Sequence, residues 1–185
     1  MRLDTPLCDV GWPAPEFQLP DPAGQTVSLQ DVMGEHGVVV AFICNHCPYV
    51  VAIADRLAED AATLQAEGVG VVAIMSNDTE AYPADAPPRM AEFARAHGFT
   101  FPYLVDADQS VARAYGAVCT PDLFGFNAAG ELQYRGRLDS AGRGDPAGRR
   151  RELVEAMRRV AATGRGPEEQ VPSMGCSIKW RQPPG

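Results

Sequence analysis

Two short apolar runs without alternation lie in the first half of the chain, VVVAFIC at residues 38–44 and VGVVAIM at residues 69–75. This pattern is typical of strands that are buried on both faces, as in a parallel sheet. Between the two runs, apolar residues recur at helical spacing after Pro48 as far as Leu64, and Gly68 ends that spacing. Strand, helix and strand of these lengths predict a right-handed βαβ unit.

The segments on either side predict shorter elements. PAPEFQLPDPAGQTVSL, residues 13–29, predicts two short strands around a turn at residues 21–24. Beyond residue 75 the pattern predicts a proline-broken loop at 76–88, a helix near 88–97, a short strand at 103–106, a short helix at 109–115, an antiparallel hairpin of 123–127 with 132–138, and a last helix whose apolar stripe is Leu153, Val154, Met157, Val160 and Ala161.

This order of elements resembles the thioredoxin fold, an α/β fold with a central mixed sheet flanked by helices. The two N-terminal strands would then form a β-hairpin extension of the redoxin type. We expect residues 1–163 to form a single domain. The Pro- and Gly-rich tail, residues 164–185, ends in GCSIKW, which has enough apolar content to dock on that domain.

Composition and charge narrow the function class. The net charge is −8, with 5 basic and 18 acidic residues in 1–134 but 11 basic and 6 acidic residues in 135–185. An acidic chain does not fit nucleic-acid binding. No apolar stretch approaches the roughly 20 residues that a membrane span needs, and residues 1–15 lack the order of a secretory signal. We therefore expect a cytoplasmic protein with no nucleic-acid or membrane partner.

The chain has 5 cysteines, Cys8, Cys44, Cys47, Cys119 and Cys176. An odd number in a chain of this size does not predict a disulfide framework, whereas catalytic or metal-binding use suits a reducing compartment. Cys44 and Cys47 form a CxxC motif where the first buried strand passes into its helix. Without a second CxxC, that position favours redox chemistry over half of a zinc site.

The start of a helix suits this chemistry because it offers unpaired N–H groups and roughly half a positive charge, which favour the thiolate. A protonated His46 would add a positive neighbour, and Asn45 and Pro48 also tune the pair. Stabilising the thiolate makes the disulfide a better oxidant. A helix beginning at Pro48, with Cys47 at its cap, loses no hydrogen bond to the proline. Cys47 could then be the better stabilised thiolate, and the order of attack stays open.

Several motifs together are similar to the redoxin (AhpC/TSA) superfamily, in particular its peroxiredoxin-like branch with CxxC. They are residues 13–29, FICNHCPYV, SND with YPADAP, YGAVCTPDLFGFNAAGELQYRG and the terminal PSMGCSIKW. Members of this branch are often labelled thioredoxin or thiol–disulfide isomerase. The resemblance implies a thiol–disulfide oxidoreductase whose partners are protein or small-molecule disulfides and a thiol reductant or redox partner protein, with no cofactor and no bound metal.

A peroxiredoxin-like thiol peroxidase is the first alternative. In that alignment the peroxidatic cysteine falls on Cys47, but its threonine is replaced by Cys44 and its proline by Val40. The activating arginine falls on Pro121. The groups that polarise peroxide are thus missing from their expected places.

The resemblance also implies that Thr120–Pro121 is the cis-proline segment opposite the cysteine pair, where it would shape the substrate groove. The backbone of Thr120 would then be free to pair with an extended substrate. Cys119 would lie nearby, either as a third redox thiol or as an ordinary core cysteine. A zinc-binding module is the second alternative, with the three sulfurs joined by His46 or Cys176 as ligands.

Overall fold

The computed structural model describes residues 1–183 of the 185-residue chain. In chain order its elements are β1 (Arg2–Asp4), β2 (Gln18–Pro20), β3 (Thr26–Ser28), α1 (Leu29–Val32), β4 (Val38–Phe42), α2 (Pro48–Val51), α3 (Ala54–Ala66), β5 (Gly70–Met75), a 3-10 turn (Pro83–Asp85), α4 (Pro87–His97), β6 (Tyr103–Val105), α5 (Ser110–Tyr115), β7 (Cys119–Thr120), β8 (Asp122–Phe126), β9 (Leu132–Gly136), α6 (Glu152–Thr163) and β10 (Met174–Ser177). Within residues 1–183, no helix combines the length and the apolar character that crossing a bilayer requires.

The central sheet has five strands in the order β6-β5-β4-β8-β9. Strands β4, β5 and β6 run parallel, whereas β8 and β9 pair antiparallel to β4 and to each other. All five residues of β4 are buried, since one apolar cluster packs on each face of the sheet. A mixed sheet covered by helices on both faces is the thioredoxin fold, as the order of elements predicts.

Most predicted elements are confirmed, with differences at their ends. The N-terminal hairpin forms from β2 and β3, and the second hairpin forms from β8 and β9. The first buried strand ends at Phe42, two residues before the predicted end, so Cys44 lies in the loop that follows it. The single predicted helix after Pro48 is divided at residues 52–53 into the one-turn α2 and the longer α3.

A small second sheet, with the order β1-β10-β7, was not predicted. The tail strand β10 lies between the N-terminal strand and β7, and it is antiparallel to both. Strands of two to four residues are too short to show alternation, which explains why the pattern did not reveal them. This sheet brings the tail to the strand that immediately precedes Pro121.

Arginines of the basic C-terminal segment pair with acidic residues elsewhere in the fold. Arg149 contacts the fully buried Asp60 of α3 through two nitrogens at 2.7 and 2.8 Å, and Arg151 contacts the same carboxylate at 2.8 Å. Arg149 and Arg56 also contact the buried Asp139, at 3.2 and 3.3 Å. The basic C-terminal segment is thus paired with acidic residues of the same chain.

Candidate active site

Cys44 and Cys47 lie where β4 gives way to α2. Cys47 is the N-cap of α2 and Pro48 is its first residue, which confirms the register that the proline predicts. The Cys47 carbonyl accepts the N–H groups of Val50 and Val51 at 3.0 and 2.9 Å. Pro48 therefore removes no hydrogen bond from the helix.

The two sulfurs lie against each other and against Thr120 of β7. Cys44 and Cys47 shift each other's pKa, and Cys176 of β10 also acts on the pKa of Cys47, so the three thiols belong to one site. Cys44 Sγ is 3.6 Å from Thr120 Oγ1, and Cys47 Sγ is 3.3 Å from the Thr120 carbonyl oxygen. Both cysteines are nearly inaccessible, with exposed fractions of 1% and 0%.

The pKa of Cys47 is lowered, first of all because the Cys44 thiol donates a hydrogen bond to it. Burial opposes this shift, while Cys176, the Thr120 side chain and the Val50 backbone support it. The Thr120 carbonyl also opposes it, since it accepts a hydrogen bond only from the neutral thiol. Because the interaction with Cys44 is larger than the opposing effect of burial, we assign the thiolate to Cys47.

The pKa of Cys44 is raised, because its proton is held in the hydrogen bond to Cys47, then because of burial, and then because the carboxylate of Asp85 lies nearby. The pair therefore divides into a charged sulfur and a protonated one. Opposite shifts in two touching groups are typical of sites that perform chemistry.

Asn45 and His46, between the cysteines, both contact Asp85. The Asn45 backbone N–H donates to Asp85 Oδ1 at 2.8 Å, and its side chain donates to the Ala84 carbonyl at 3.0 Å. His46 Nδ1 lies 2.7 Å from Asp85 Oδ2 at an angle poor for a hydrogen bond. The His46 ring stacks on Tyr82, with centroids 5.5 Å apart. His46 thus faces a carboxylate, whereas the sequence predicted that its charge would act on the thiolate.

Asp85 joins this network from the proline-broken loop at residues 76–88. It is fully buried, and it also accepts a hydrogen bond from Asn77 Nδ2 at 3.0 Å. Tyr103 of β6 adds a hydrogen bond from its hydroxyl to Asn45 Oδ1 at 2.8 Å. From sequence alone, an acidic residue in a proline-rich loop could equally be a solvated loop residue. Only the fold reveals this network.

The Thr120–Pro121 peptide bond is cis, as predicted. We predicted that the backbone of Thr120 would pair with an extended substrate. In the structure the chain's own β10 already pairs with β7. Thr120 lies opposite Cys176, and it is buried with an exposed fraction of 3%. The edge that a substrate strand would use is therefore occupied by the tail.

Pro121 does line a groove, with a volume of about 370 Å³. Tyr49 of α2 and Ile53 form one side of it, and residues 171–174, leading into β10, form another. The lining is mainly apolar, with Arg137, Asp139 and Arg143 as its charged members. Tyr49, two residues after Cys47, and Pro121, next to Thr120, place this groove beside the site, but neither Cys44 nor Cys47 lines it.

Cys119 is buried beside the site but is turned away from it. Its sulfur is 3.8 Å from the Pro121 carbonyl, and it lies opposite Ser177 where Thr120 lies opposite Cys176. Since successive residues of a strand point to opposite faces, Cys119 and Thr120 face different sides. Burial, first, and then Asp122 raise the pKa of Cys119.

The predicted zinc ligands are not the ones that the fold brings together. Within residues 1–183, the group whose ligand atoms lie within 4.8 Å of one another is Cys44, His46 and Asp85. Cys119 is outside it. Both oxygens of Asp85 already accept protein hydrogen bonds, so this donor set fits a polar network better than a metal centre.

The hairpin of β8 and β9 carries one arginine, and its hydrogen-bond partners are groups other than Cys44 and Cys47. Arg135 of β9 contacts the buried Asp122 at 2.8 and 3.2 Å and donates to the Gly116 carbonyl at 3.0 Å. Among the hydrogen bonds of the described residues, none joins an arginine or a lysine to Cys44 or Cys47. The peroxide-polarising arginine is thus absent at Pro121, as the alignment predicted, and Arg135 does not replace it.

The AhpC/TSA family model matches residues 10–135. A Mycobacterium tuberculosis H37Rv protein, provisionally named a peroxiredoxin, is 30% identical over 151 residues, which cover 82% of this chain and 85% of that protein. The thiol–disulfide oxidoreductase ResA of Halalkalibacterium halodurans is 26% identical over 129 residues, covering 70% and 69%.

Among solved structures, the crystal structure of an uncharacterised conserved protein from Geobacillus kaustophilus has a TM-score of 0.93 and 38% sequence identity. The match covers 100% of this chain and 98% of that one. It includes the tail, so a similar protein shares the arrangement of the whole chain. The named relatives are thiol-dependent redox proteins of two kinds.

Proposed function

The chain belongs to the AhpC/TSA family, and we propose that it is a thiol–disulfide oxidoreductase that exchanges disulfides through Cys44 and Cys47. Its relatives assign it to the oxidoreductases. The observation that carries the proposal is the contact between two thiols whose pKa values are shifted in opposite directions. One sulfur is prepared to attack, and the other holds the proton that the next step releases.

In the first step, the Cys47 thiolate attacks one sulfur of a substrate disulfide. A bond forms between Cys47 and that sulfur, the substrate S–S bond breaks, and the other substrate sulfur leaves as a thiolate. In the mixed disulfide Cys47 carries no charge. The Cys44 thiol then loses the acceptor that raised its pKa most, so its proton can pass to the departing thiolate.

In the second step, Cys44 attacks Cys47 and expels the remaining substrate sulfur. The protein gains the Cys44–Cys47 disulfide, and the substrate gains two electrons and two protons as two thiols. A thiol reductant or a redox partner protein reverses these steps and restores the dithiol. Because a stable thiolate favours the dithiol form, the Cys44–Cys47 disulfide should be oxidising.

The groove beside Pro121 suits the organic part of a disulfide substrate. Its walls are mainly apolar, and Arg143 in its lining would favour a substrate that carries a carboxylate, whereas Arg137 is already paired with Glu152. We therefore propose small or peptide-borne disulfides as substrates.

The test is turnover of hydroxyethyl disulfide, coupled to a thiol reductant, with mass mapping of the oxidised protein. Wild type should form the Cys44–Cys47 disulfide. Cys47→Ser should abolish turnover, and Cys44→Ser should lower it by about a hundredfold, because the mixed disulfide then lacks its main resolving thiol. Cys8→Ser is the matched control, since Cys8 packs in the cluster on the other face of the sheet. Full turnover in both Cys44→Ser and Cys47→Ser would contradict the proposal.

A thiol peroxidase using Cys47 is the second candidate. The family model and the relative named a peroxiredoxin favour it, and so does the lowered pKa of Cys47. Here Cys44 hydrogen-bonds the sulfur that peroxide would oxidise. Stopped-flow mixing with hydrogen peroxide should show loss of peroxide faster than free cysteine causes, and a sulfenate on Cys47. Loss no faster than with free cysteine rules this candidate out.

A zinc-binding module is the third candidate, and it depends on Cys44, His46 and Asp85 lying within one ligand sphere. Zinc bound there would have to replace a hydrogen bond that Asp85 now accepts and the proton that Cys44 holds. Protein purified without chelator should then carry one zinc per chain. Elemental analysis that finds no stoichiometric metal removes this candidate and leaves the redox proposal untouched.

A further inference from the structure

We infer that Cys176 is a third redox thiol, which takes over the disulfide of the buried pair and carries it toward the surface. The inference rests on the proposed function of Cys44 and Cys47 and adds a residue to it. It depends on where β10 places Cys176: on the strand that covers the site, beside the sulfur that attacks.

The register of the small sheet places Cys176 at the site. β10 pairs with β7 so that Cys176 lies directly opposite Thr120. Residues directly opposite in an antiparallel pair have Cβ atoms about 4.5–5.5 Å apart and side chains on the same face. Thr120 itself contacts Cys44 through its hydroxyl and Cys47 through its carbonyl. The Cys176 side chain therefore faces the same sulfurs and packs against the apolar cluster that contains Cys44 and Cys47, and Cys47 is one of the groups that raise its pKa.

Exposure distinguishes the three sulfurs. Cys44 and Cys47 are fully buried, whereas Cys176 is half-buried and packs against the edge of the same apolar cluster. A protein-sized disulfide cannot reach a sulfur that has no exposed surface, but it can reach a sulfur at the edge. Cys176 is thus placed between the buried pair and the solvent.

Cys119, which the resemblance offered either as a third redox thiol or as a core cysteine, does not offer this route. It lies on the opposite face of β7, and its sulfur is directed to the Pro121 carbonyl. Its neighbours include Asp122 and Arg135, which belong to another polar contact. Cys176 therefore takes the redox role that the resemblance offered for Cys119.

The exchange needs no further oxidant. The Cys176 thiolate attacks Cys47 of the Cys44–Cys47 disulfide, a Cys47–Cys176 bond forms, and Cys44 leaves as a thiolate that takes up the proton which Cys176 released. The number of disulfides and thiols is unchanged. A substrate dithiol then attacks Cys176, and two such exchanges convert it to a disulfide while Cys47 and Cys176 return to thiols.

The charges around Cys176 agree with this order. Burial, first, and then the hydrogen bond to Cys47 raise the pKa of Cys176 to about 11, whereas Lys179 and the N-terminal ammonium lower it. When Cys47 is held in a disulfide it carries no charge, and one cause of the raised pKa is removed. The two cations remain, so Cys176 becomes more reactive when the pair is oxidised.

The decisive experiment maps disulfides in Cys44→Ser after oxidation with hydroxyethyl disulfide, quenched with acid and alkylated. The inference expects a Cys47–Cys176 disulfide as the main product, and about a tenfold loss of the residual Cys44→Ser turnover in Cys44→Ser/Cys176→Ser. Cys44→Ser/Cys119→Ser is the matched control, which should keep both the disulfide and the residual turnover. A mixed disulfide that persists on Cys47 in Cys44→Ser overturns the inference.

A second variant keeps all five cysteines but displaces the strand that carries Cys176. A Cβ at Gly175 would overlap the Thr120 carbonyl oxygen, so Gly175→Ala should move β10 away from β7. In the reverse direction Cys176 attacks a large disulfide first and passes the bond to Cys47 and then to Cys44, so we expect this variant to reduce insulin about tenfold more slowly while its turnover of hydroxyethyl disulfide changes less. Equal slowing of both substrates, with an unchanged melting temperature, contradicts a relay through the tail.

The outcomes separate the two proposals. If wild type forms the Cys44–Cys47 disulfide and turns over, but no variant forms Cys47–Cys176, the relay is wrong and the proposed function stands. If wild type forms neither disulfide and has no turnover, the proposed function is wrong, and the relay falls with it.

Discussion

Asp60 and Asp85 are both fully buried carboxylates, yet their surroundings differ in kind. Asp60 is held by two guanidinium groups, those of Arg149 and Arg151, at 2.7–2.8 Å. Asp85 is held by a backbone N–H, an amide and the ring of His46. One charge is balanced by permanent cations, and the other is held mainly by neutral donors.

The difference separates a structural site from a chemical one. The ion-pair cluster around Asp60 joins α3 to the basic C-terminal segment, and its charge is balanced within the cluster. The charge of Asp85 is left to act on its neighbours, and it is one of the causes that raise the pKa of Cys44, after the hydrogen bond to Cys47 and burial. A buried charge without a permanent partner thus lies where the chemistry is proposed.

The largest effect is expected at the ion-pair cluster. Asp60→Ala removes the buried carboxylate that Arg149 and Arg151 share, leaving Arg149 with Asp139 and Arg151 without a carboxylate, which should lower the free energy of unfolding by about 3–5 kcal/mol. Denaturant unfolding measures the loss, and Glu59→Ala is the control, because that exposed partner of Arg149 should contribute less than about 1 kcal/mol. Exchange activity per folded molecule should not change. A loss of activity in folded Asp60→Ala would break the comparison.

A smaller effect is expected within the thiol pair. Cys44→Ala removes the hydrogen bond that lowers the pKa of Cys47 most, whereas Cys44→Ser keeps a hydroxyl donor. A hydrogen bond to a charged group contributes about 1.5–3 kcal/mol, so the Cys47 pKa should rise in Cys44→Ala and rise less in Cys44→Ser. Ultraviolet absorbance of the thiolate against pH measures both. Equal pKa values in the two variants contradict the assignment.

The same shifts give the reduced protein a pH-dependent stability. The pKa of Cys47 is lowered in the folded state, so its contribution is fully present above the ordinary thiol value and is lost as pH falls from there. The pKa of Cys44 is raised, so its contribution is lost as pH rises above that value. Stability from the pair should therefore peak near the ordinary thiol pKa, and oxidation to the disulfide should abolish this dependence.

In free energy, the effect of Asp85→Asn is expected to be similar to that of Cys44→Ala or slightly smaller. An amide can accept from the Asn45 N–H, but its own N–H₂ then meets the Asn77 amide, which is fixed because its oxygen accepts the Lys179 N–H. One lost hydrogen bond should lower the free energy of unfolding by about 1–3 kcal/mol. The Cys44 pKa should fall with the charge, which thiol alkylation against pH will measure. An unchanged Cys44 pKa would show that Asp85 is as well balanced as Asp60.

The sequence predicted the central sheet and the register of Cys47 because each depends on local pattern. Continuous apolar runs predicted β4 and β5, and a proline beside a cysteine fixed the start of α2. The resemblance supplied the cis bond before Pro121. Each of these features is determined by residues within a few positions of it in the sequence.

What the sequence could not predict depends on long-range pairing. Asp85 reaches the site only because the loop after β5 folds over Asn45, 40 positions earlier in the chain. Cys176 reaches it only because two short strands flank β10, and strands of that length carry no periodic signal. The sequence therefore offered Cys119, which is next to Thr120, as a possible third redox thiol or a core cysteine.

The smallest effect is expected for His46→Gln, and it tests the comparison most finely. His46 is the one group in contact with Asp85 that can carry a positive charge, among the contacts of residues 1–183, but its ring is one-third exposed and poorly aligned for a hydrogen bond. If it balanced Asp85 as the arginines balance Asp60, its removal would cost about 3–5 kcal/mol. We expect a loss of only about 0.5–1.5 kcal/mol, which includes its stacking on Tyr82. A double-mutant cycle with Asp85→Asn separates the two contributions, because stacking survives in the Asp85→Asn background and the contact with the carboxylate does not. A coupling of several kcal/mol would mean that His46 and Asp85 form a buried ion pair, and that Asp85 has no charge to spare for Cys44.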